Sequence, residues 1–348
     1  MIKVLIVEDS IVARELLKHI LSSDPEITIV GTAMNGEEGI EMVRRHHPDV
    51  VTMDIIMPKM DGYEATRKIM ETNPVPIVIV TSSLVREEVE KTWRAIDAGA
   101  VAVLNKPSMF ERGAHAGERE KLLQTVKIMS QVKVVRRWNR DPSPVPAPRP
   151  EIRPQVVPKA GSIKVVAIGA STGGPPVLQK IFSAMPTDFA APILVVQHIA
   201  AGFTVGFVDW LNRSSALKVH LARDGERALP GNIYVAPDAH QMKLDATGRI
   251  GVVPDEPENG LRPAVSYLFR SVAEAIGDKA IGVLLTGMGR DGAQELKLMR
   301  DKGAVTIAQD EETSIVYGMP GEAAKIGAAK YSLPPDKIAE TIRRLVQK

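Results

Sequence analysis

Short runs of contiguous apolar residues punctuate the first third of the chain: KVLIV, ITIVGTA, DVVTMD, PIVIVTSS and AVAVLNKP. Between them, apolar residues return with helical spacing. Runs this short and this uniformly apolar fit strands buried on both faces, and their alternation with helical stretches predicts a parallel sheet flanked by helices. The rhythm resumes near residue 163 with IKVVAIG, PILVVQH, AIGVLLTGMG and AVTIAQ. Around GNIYVAP and HQMKLDATGRIGVV, glycines and a proline break the pattern and predict a small antiparallel β insert. The expected fold class is therefore α/β, with two doubly wound parallel-sheet domains. No repeat with a period of about 20 to 50 residues, the mark of a solenoid, is present.

The segment between the two rhythms has a different composition. It carries Pro142, Pro144, Pro146, Pro148, Pro150, Pro154 and Pro158 and a basic run from Lys133 to Arg140. Such proline density removes backbone donors and favours an extended linker over a packed core. Fully extended at ~3.1 Å per residue, residues 142 to 158 would span ~50 Å, enough to let two domains separate or dock. The expected organisation is a domain over 1–125, a basic, Pro-rich linker over 126–162 and a second domain over 163–348.

Whole-chain charge is nearly balanced, with 44 Lys and Arg against 42 Asp and Glu, which argues against nucleic acid as a partner. The absence of cysteine excludes disulfides, thiolate metal sites and Cys nucleophiles. The start MIKVLIVEDS turns acidic before a signal sequence could form, and no apolar run approaches membrane-spanning length. A cytoplasmic protein without direct membrane insertion, working as a monomer, is expected.

In the first domain, Glu8 and Asp9 follow the first strand, and Asp54 ends the third. In a sheet of order 2-1-3-4-5, all three lie at the carboxyl edge beside the topological switch point. Converging carboxylates call for a cation, and a hard divalent ion such as Mg²⁺ suits one that must also leave room for phosphate oxygens. Thr81 ends the fourth strand and Lys106 the fifth, bringing a hydroxyl and an ammonium to the same edge. Such a set can stabilise phosphoryl transfer onto a carboxylate. Taken singly, Asp9 could be a helix cap and Lys106 a solvated charge; five such residues at matching strand ends are harder to explain that way. Through VEDS, MDIIMPKMDG, VTSS and LNKP the segment resembles the flavodoxin-like receiver domain of bacterial response regulators. The resemblance implies phosphorylation of Asp54 by a chemotaxis histidine kinase. It also implies Mg²⁺ held by Glu8, Asp9, Asp54 and the Ile56 carbonyl, and sensing of the phosphoryl group by Thr81 and Lys106.

In the second domain, the strand KVVAIG runs into Gly169-Ala-Ser171-Thr-Gly173-Gly174-Pro175-Pro176 and then a helical pattern. The glycines permit a tight turn and the prolines suit a helix start, so Ser171 is presented above a sheet as in a nucleophile elbow. Good capping chemistry alone would give the same turn. PILVVQ delivers His198 to its carboxyl end as a candidate base, and AIGVLLTGMG is followed by Asp291, which could orient the imidazole or cap the helix after it. His220 and His240 are alternative bases, less naturally aligned. Gly287 and Gly289 flank Met288, whose backbone N–H is a candidate oxyanion donor.

Chain order excludes the α/β-hydrolase fold, since no histidine follows Asp291. Gly174 is followed by proline rather than Lys-Ser/Thr, which excludes a Walker A loop, and Ala170-Ser171 breaks a dinucleotide fingerprint.

Residues 163 to 348 resemble the catalytic domain of chemotaxis protein-glutamate methylesterases. The carrying motifs are AIGASTGG, VVQHIAAGFT, DGERALPGNIYVAP, LLTGMGRDGA and TIAQDEETSIVYGMP. The resemblance implies a Rossmann-like catalytic domain and a Ser171–His198–Asp291 triad with no cofactor in the hydrolase site. It implies cytoplasmic tails of methyl-accepting chemoreceptors as substrate, and an esterase and glutamine deamidase activated by phosphorylation. A receiver-controlled serine esterase with a non-receptor substrate would share these motifs. In PENGLRP and the helix after it, Asn259-Gly260 and Ser266 stand where more His/Asp character is expected, at what would be fine substrate contacts.

Overall fold

The computed structural model describes residues 1–82, 86–107, 115–132, 134 and 163–347. The chain divides into two compact units, Met1–Pro148 and Arg149–Lys348. The Pro-rich stretch from 142 to 158 lies outside the described residues.

In the first unit, strands β1 (Ile2–Val7), β2 (Ile27–Ala33), β3 (Val50–Met53), β4 (Ile77–Thr81) and β5 (Ala102–Asn105) alternate with helices. These are α1 (Ile11–Leu21), α2 (Gly36–His46), α3 (Gly62–Thr72), α4 (Arg86–Ala98) and α5 (His115–Met129). The sheet order is β2-β1-β3-β4-β5, with every pair parallel, as the apolar runs predict. Ser10, Asn35 and Asp61 each accept a backbone N–H in the first turn of the helix that follows, which sets where α1, α2 and α3 begin. Val4, Leu5 and Ile6 of β1 are completely buried, as is all of β3. Helix α5 continues to a buried Met129, past the boundary expected at residue 125.

The second unit is built on seven parallel strands in the order β14-β13-β12-β6-β7-β9-β8. They are β6 (Val165–Ala170), β7 (Ile193–Gln197), β8 (Lys218–Leu221), β9 (Asn232–Val235), β12 (Ala280–Leu284), β13 (Val305–Gln309) and β14 (Tyr331–Leu333). Helices α6 (Gly174–Ser183), α7 (Thr204–Asn212), α8 (Val265–Ala275), α9 (Ala293–Asp301), α10 (Met319–Lys325) and α11 (Pro335–Val346) connect or cover them.

One expectation is corrected. NIYV is β9, which pairs in parallel with both β7 and β8 and so belongs to the main sheet. Among the described residues the antiparallel ribbon is formed by β10 (Gln241–Leu244) and β11 (Ile250–Val253). A short strand between Gly-Pro turns reads alike in either setting, and its neighbours are fixed only by tertiary pairing. The ribbon's Met242, Leu244 and Ile250 join Leu268, Phe269 and Val272 of α8 in one buried cluster. At about 1.5 to 3 kcal/mol per buried side chain of this size, that seam fixes α8 firmly in place.

Candidate active site

Polar groups gather at the carboxyl edge of each parallel sheet. In the first unit, Asp54 directly follows β3 and is tied to β1 by its N–H, which donates to the Val7 carbonyl at 2.9 Å. Its Oδ1 accepts the Ile55 N–H at 2.8 Å, and its Oδ2 lies 2.8 Å from Lys106 Nζ. The same ammonium stands 3.0 Å from both oxygens of Glu8 but aligns as a hydrogen-bond donor only with Oε1. Thr81, also buried, gives Asp54 a further side-chain hydrogen bond. Gly62 lets the chain close here: a Cβ at that position would lie 1.9 Å from the Asp54 carbonyl oxygen.

Burial, reinforced by the neighbouring Asp54 charge, pushes the Glu8 carboxyl up to about 7 against the pull of Lys106. Burial likewise raises Asp54, while Lys106 and two further hydrogen bonds oppose the rise. Glu8, Asp9 and Asp54 each offer an oxygen within 4.8 Å of the others. A divalent cation fits this arrangement, because Glu8 Oε2 is buried without a hydrogen-bond partner and the two buried carboxylates repel each other. Ile56 follows in the β3–α3 loop with its side chain partly exposed.

In the second unit, Ser171, His198 and Asp291 lie beyond the carboxyl ends of three adjacent strands, β6, β7 and β12. Ala170 pairs with Gln197, so Ser171 and His198 occupy the next register position on neighbouring strands. The last link across them is the His198 N–H bond to the Ala170 carbonyl, 2.9 Å. Beyond it, Gln197 Nε2 bridges the carbonyls of Ser171 and His198, at 2.8 Å to each. Gly173 takes φ +76° at the turn, where a side chain would strike Ile315, and Pro175 and Pro176 open α6.

His198 Nε2 lies 3.0 Å from Asp291 Oδ2 in a buried setting, close enough for an ion pair but off the axis of a linear hydrogen bond. Ser171 Oγ makes no hydrogen bond to His198 among the described residues; such contacts often tighten only when substrate is bound. With Nε2 turned to Asp291, Nδ1 is the ring nitrogen that can take the serine proton.

Asp291 does not cap the helix after it, which starts from Gly292 in a left-handed conformation. It caps α8 instead. Its Oδ2 accepts the Val265 N–H at 2.7 Å, and its Oδ1 accepts the Ser266 N–H at 3.0 Å and the Ser266 hydroxyl at 2.6 Å. Ser266 Oγ in turn accepts the Gly292 N–H at 3.0 Å. Burial alone would raise the Asp291 carboxyl; the adjacent His198 ring and the Ser266 bonds outweigh it and hold the group below the usual carboxylate range.

Sequence reasoning noted Ser266 only as a departure from the His/Asp character expected near substrate, with no link to Asp291, and gave Gln197 no part in the site. One signal pointed to that link. Helix α8 starts after Ala264 with no side-chain cap of its own, so its free N–H groups had to find an acceptor elsewhere in the chain.

Gly287 sits against the serine, where an added Cβ would lie 2.6 Å from Ser171 Cβ. The next residue, Met288, donates its backbone N–H to no backbone carbonyl among the described residues. The alternative bases lie elsewhere. His220 is on edge strand β8, its ring 4.6 Å from that of Tyr234, and burial lowers its pKa. His240 Nδ1 is engaged by the Asp238 carbonyl at 2.8 Å.

Residues 166–342 match the CheB methylesterase family, and residues 4–116 match the response regulator receiver domain. The chain belongs to the CheB methylesterase family. A relative from Syntrophus aciditrophicus, protein-glutamate methylesterase/protein-glutamine glutaminase 1, is 56% identical over 99% of this chain and 98% of its own length. One from Nitrosospira multiformis is 53% identical over 99% and 97%. The crystal structure of the Thermotoga maritima CheB methylesterase catalytic domain matches with 41% identity and a TM-score of 0.51. It covers 53% of this chain and 99% of that one. In this CheB-family chain the first parallel sheet has the order the sequence predicts, the second gains β8, β9 and β14 beside the predicted strands, and among the described residues no helix is long and apolar enough to cross a membrane.

Proposed function

We propose that this protein hydrolyses glutamate methyl esters on the cytoplasmic tails of chemoreceptors and deamidates glutamines there, under control of Asp54 phosphorylation. The observation that carries the reading is the pairing of Asp291 with His198 at 3.0 Å, on the sheet edge that presents Ser171. Ser171 Oγ attacks the γ-carbonyl carbon of the ester while His198 takes its proton. Negative charge that builds on the carbonyl oxygen is met by the Met288 N–H. As the tetrahedral centre collapses, the C–O bond to methoxide breaks and His198 returns the proton, releasing methanol. Water, deprotonated by His198, then attacks the acyl-enzyme, and Ser171 departs with the proton to leave free glutamate. With an amide, ammonia leaves in place of methanol.

In the receiver unit, Glu8, Asp9, Asp54 and the Ile56 carbonyl would hold Mg²⁺, which supplies charge neutralisation for phosphoryl oxygens. Lys106 and Thr81 would engage the phosphoryl group once a chemotaxis histidine kinase has delivered it. The chain works in the cytoplasm as a monomer.

The test is methanol release from membranes carrying methylated chemoreceptors. Ser171→Ala should retain no more than the ~10³- to 10⁴-fold advantage over water that oxyanion binding supplies. Near-normal turnover in that variant would sink the assignment.

A further inference from the structure

The segment DEETSIVYGMP has no part in the mechanism above, yet it packs against the loop that carries Met288. The two meet at Thr286, which is fully buried just beyond β12. The Thr286 carbonyl accepts the Ser171 N–H at 3.0 Å. Its own N–H donates to Gln309 Oε1 at 2.9 Å, and Gln309 Nε2 reaches the Thr313 carbonyl at 2.8 Å. Its hydroxyl accepts the Val316 N–H at 2.9 Å and shares one proton between the carbonyls of Thr172, at 3.0 Å, and Val316, at 3.2 Å.

One side chain thus joins the turn that presents the serine to a strap over residues 316–319. Past Thr286 the contact stays close. Gly287 N–H donates to the Val316 carbonyl at 3.0 Å, and the Gly287 carbonyl accepts from Gly318 and Met319. A Cβ at Gly318 would lie 2.7 Å from the Gly287 carbonyl oxygen and 3.0 Å from Gly289 N. Gly287 is therefore wedged between the serine turn and the strap, and the strap's Gly318 also closes on Gly289 N, while a Cβ at Gly289 itself would meet open space.

We propose that Thr286 is a positioning residue for ester hydrolysis: by tying Thr172 to Val316, its hydroxyl sets the Met288 N–H at the distance from Ser171 that the developing oxyanion needs. The inference rests on the reading of Ser171 as nucleophile and the Met288 N–H as oxyanion donor. A valine would fill the same volume without polar atoms, so a fully buried threonine is explained by the bonds it makes. A donor that drifts by a few tenths of an ångström still meets the ground-state carbonyl but loses the oxyanion, so the effect falls on turnover rather than binding.

The test uses the full-length chain with Thr286→Val, Thr286→Ser and Ser171→Ala, assayed by methanol release from methylated chemoreceptor membranes and by fluorophosphonate labelling of Ser171. Thr286→Val should lower kcat by about 10- to 100-fold with KM within about two-fold, and slow labelling to match. Thr286→Ser, which keeps the hydroxyl, should stay within about three-fold of the parent protein. If Thr286→Val does not fold, Thr286→Cys, similar in size to serine and a weak donor, takes its place. The proposal is overturned by a Val variant with unchanged kcat, by kcat and KM moving together, or by a Ser variant that falls as far as Val. A parent protein that labels at Ser171 but releases no methanol would sink the substrate reading alone, and the labelling rates would still decide the part of Thr286. No Ser171 labelling in the parent would overturn both.

Discussion

Four contacts converge on the two oxygens of Asp291: two backbone N–H groups of α8, the Ser266 hydroxyl and the His198 ring. Because its pKa lies lower folded than unfolded, the stability it contributes is present in full above the unfolded value, about 3.9. That contribution is lost as pH falls through the lower folded value. Ser266→Ala removes one donor, so the folded value should rise. We expect a loss of about 1 to 3 kcal/mol at neutral pH and acid unfolding that begins at higher pH than in the parent protein. Urea titrations between neutral pH and the acid transition would show both; superimposable curves would contradict this account of the carboxylate. Ser171 and His198 were placed together by the sequence because each directly follows a strongly apolar strand, whereas Asp291 lies seven residues past the end of β12. The cap on α8 was not legible, because residues 265 and 291 meet only after β12 and α8 have packed.

At the scale of elements, the parallel strands visible in the sequence are those with an apolar run, even where, as in β2 and β5, most positions are only half-buried. Edge strands β8 and β14, with four and three residues and mixed burial, offer too little pattern to be read. The turns follow a different logic, in which glycine marks close approach. In an ordinary helix, Gly→Ala gains about 0.5 to 1 kcal/mol. At Gly62 the sign should reverse, because the new methyl meets the Asp54 carbonyl at 1.9 Å and the loop carrying the acceptor must move. We expect Gly62→Ala to cost the receiver unit about 3 kcal/mol or more and to abolish phosphate incorporation at Asp54. A thermal melt and a radiolabelled phosphodonor would measure the two effects.

Across the whole molecule, the two units carry different chemistry: two buried carboxylates and an exposed one beside the Lys106 ammonium in the first, and a serine near a histidine–carboxylate pair in the second. Phosphorylation of Asp54 would replace a carboxylate by a group of about −2 charge in contact with Lys106. If that event controls hydrolysis, methanol release should rise when a small phosphodonor and Mg²⁺ are added together. It should not rise with EDTA present or in Asp54→Asn. Equal stimulation of that variant would place the control elsewhere. The two-unit plan was legible from the break in apolar rhythm and the proline run. The end of α5 at Met129 was not, because no glycine or proline marks it.

The cap on α8 has a practical consequence for anyone building an inert copy of this protein. Replacing Asp291 would remove the partner of His198 and also strip the start of a helix whose inner face belongs to the unit's main core. A decoy made there would be crippled in shape as well as in chemistry, and its failure to compete for receptors would prove nothing. A dead copy that still holds its target should be made at Ser171, whose hydroxyl makes no hydrogen bond among the described residues.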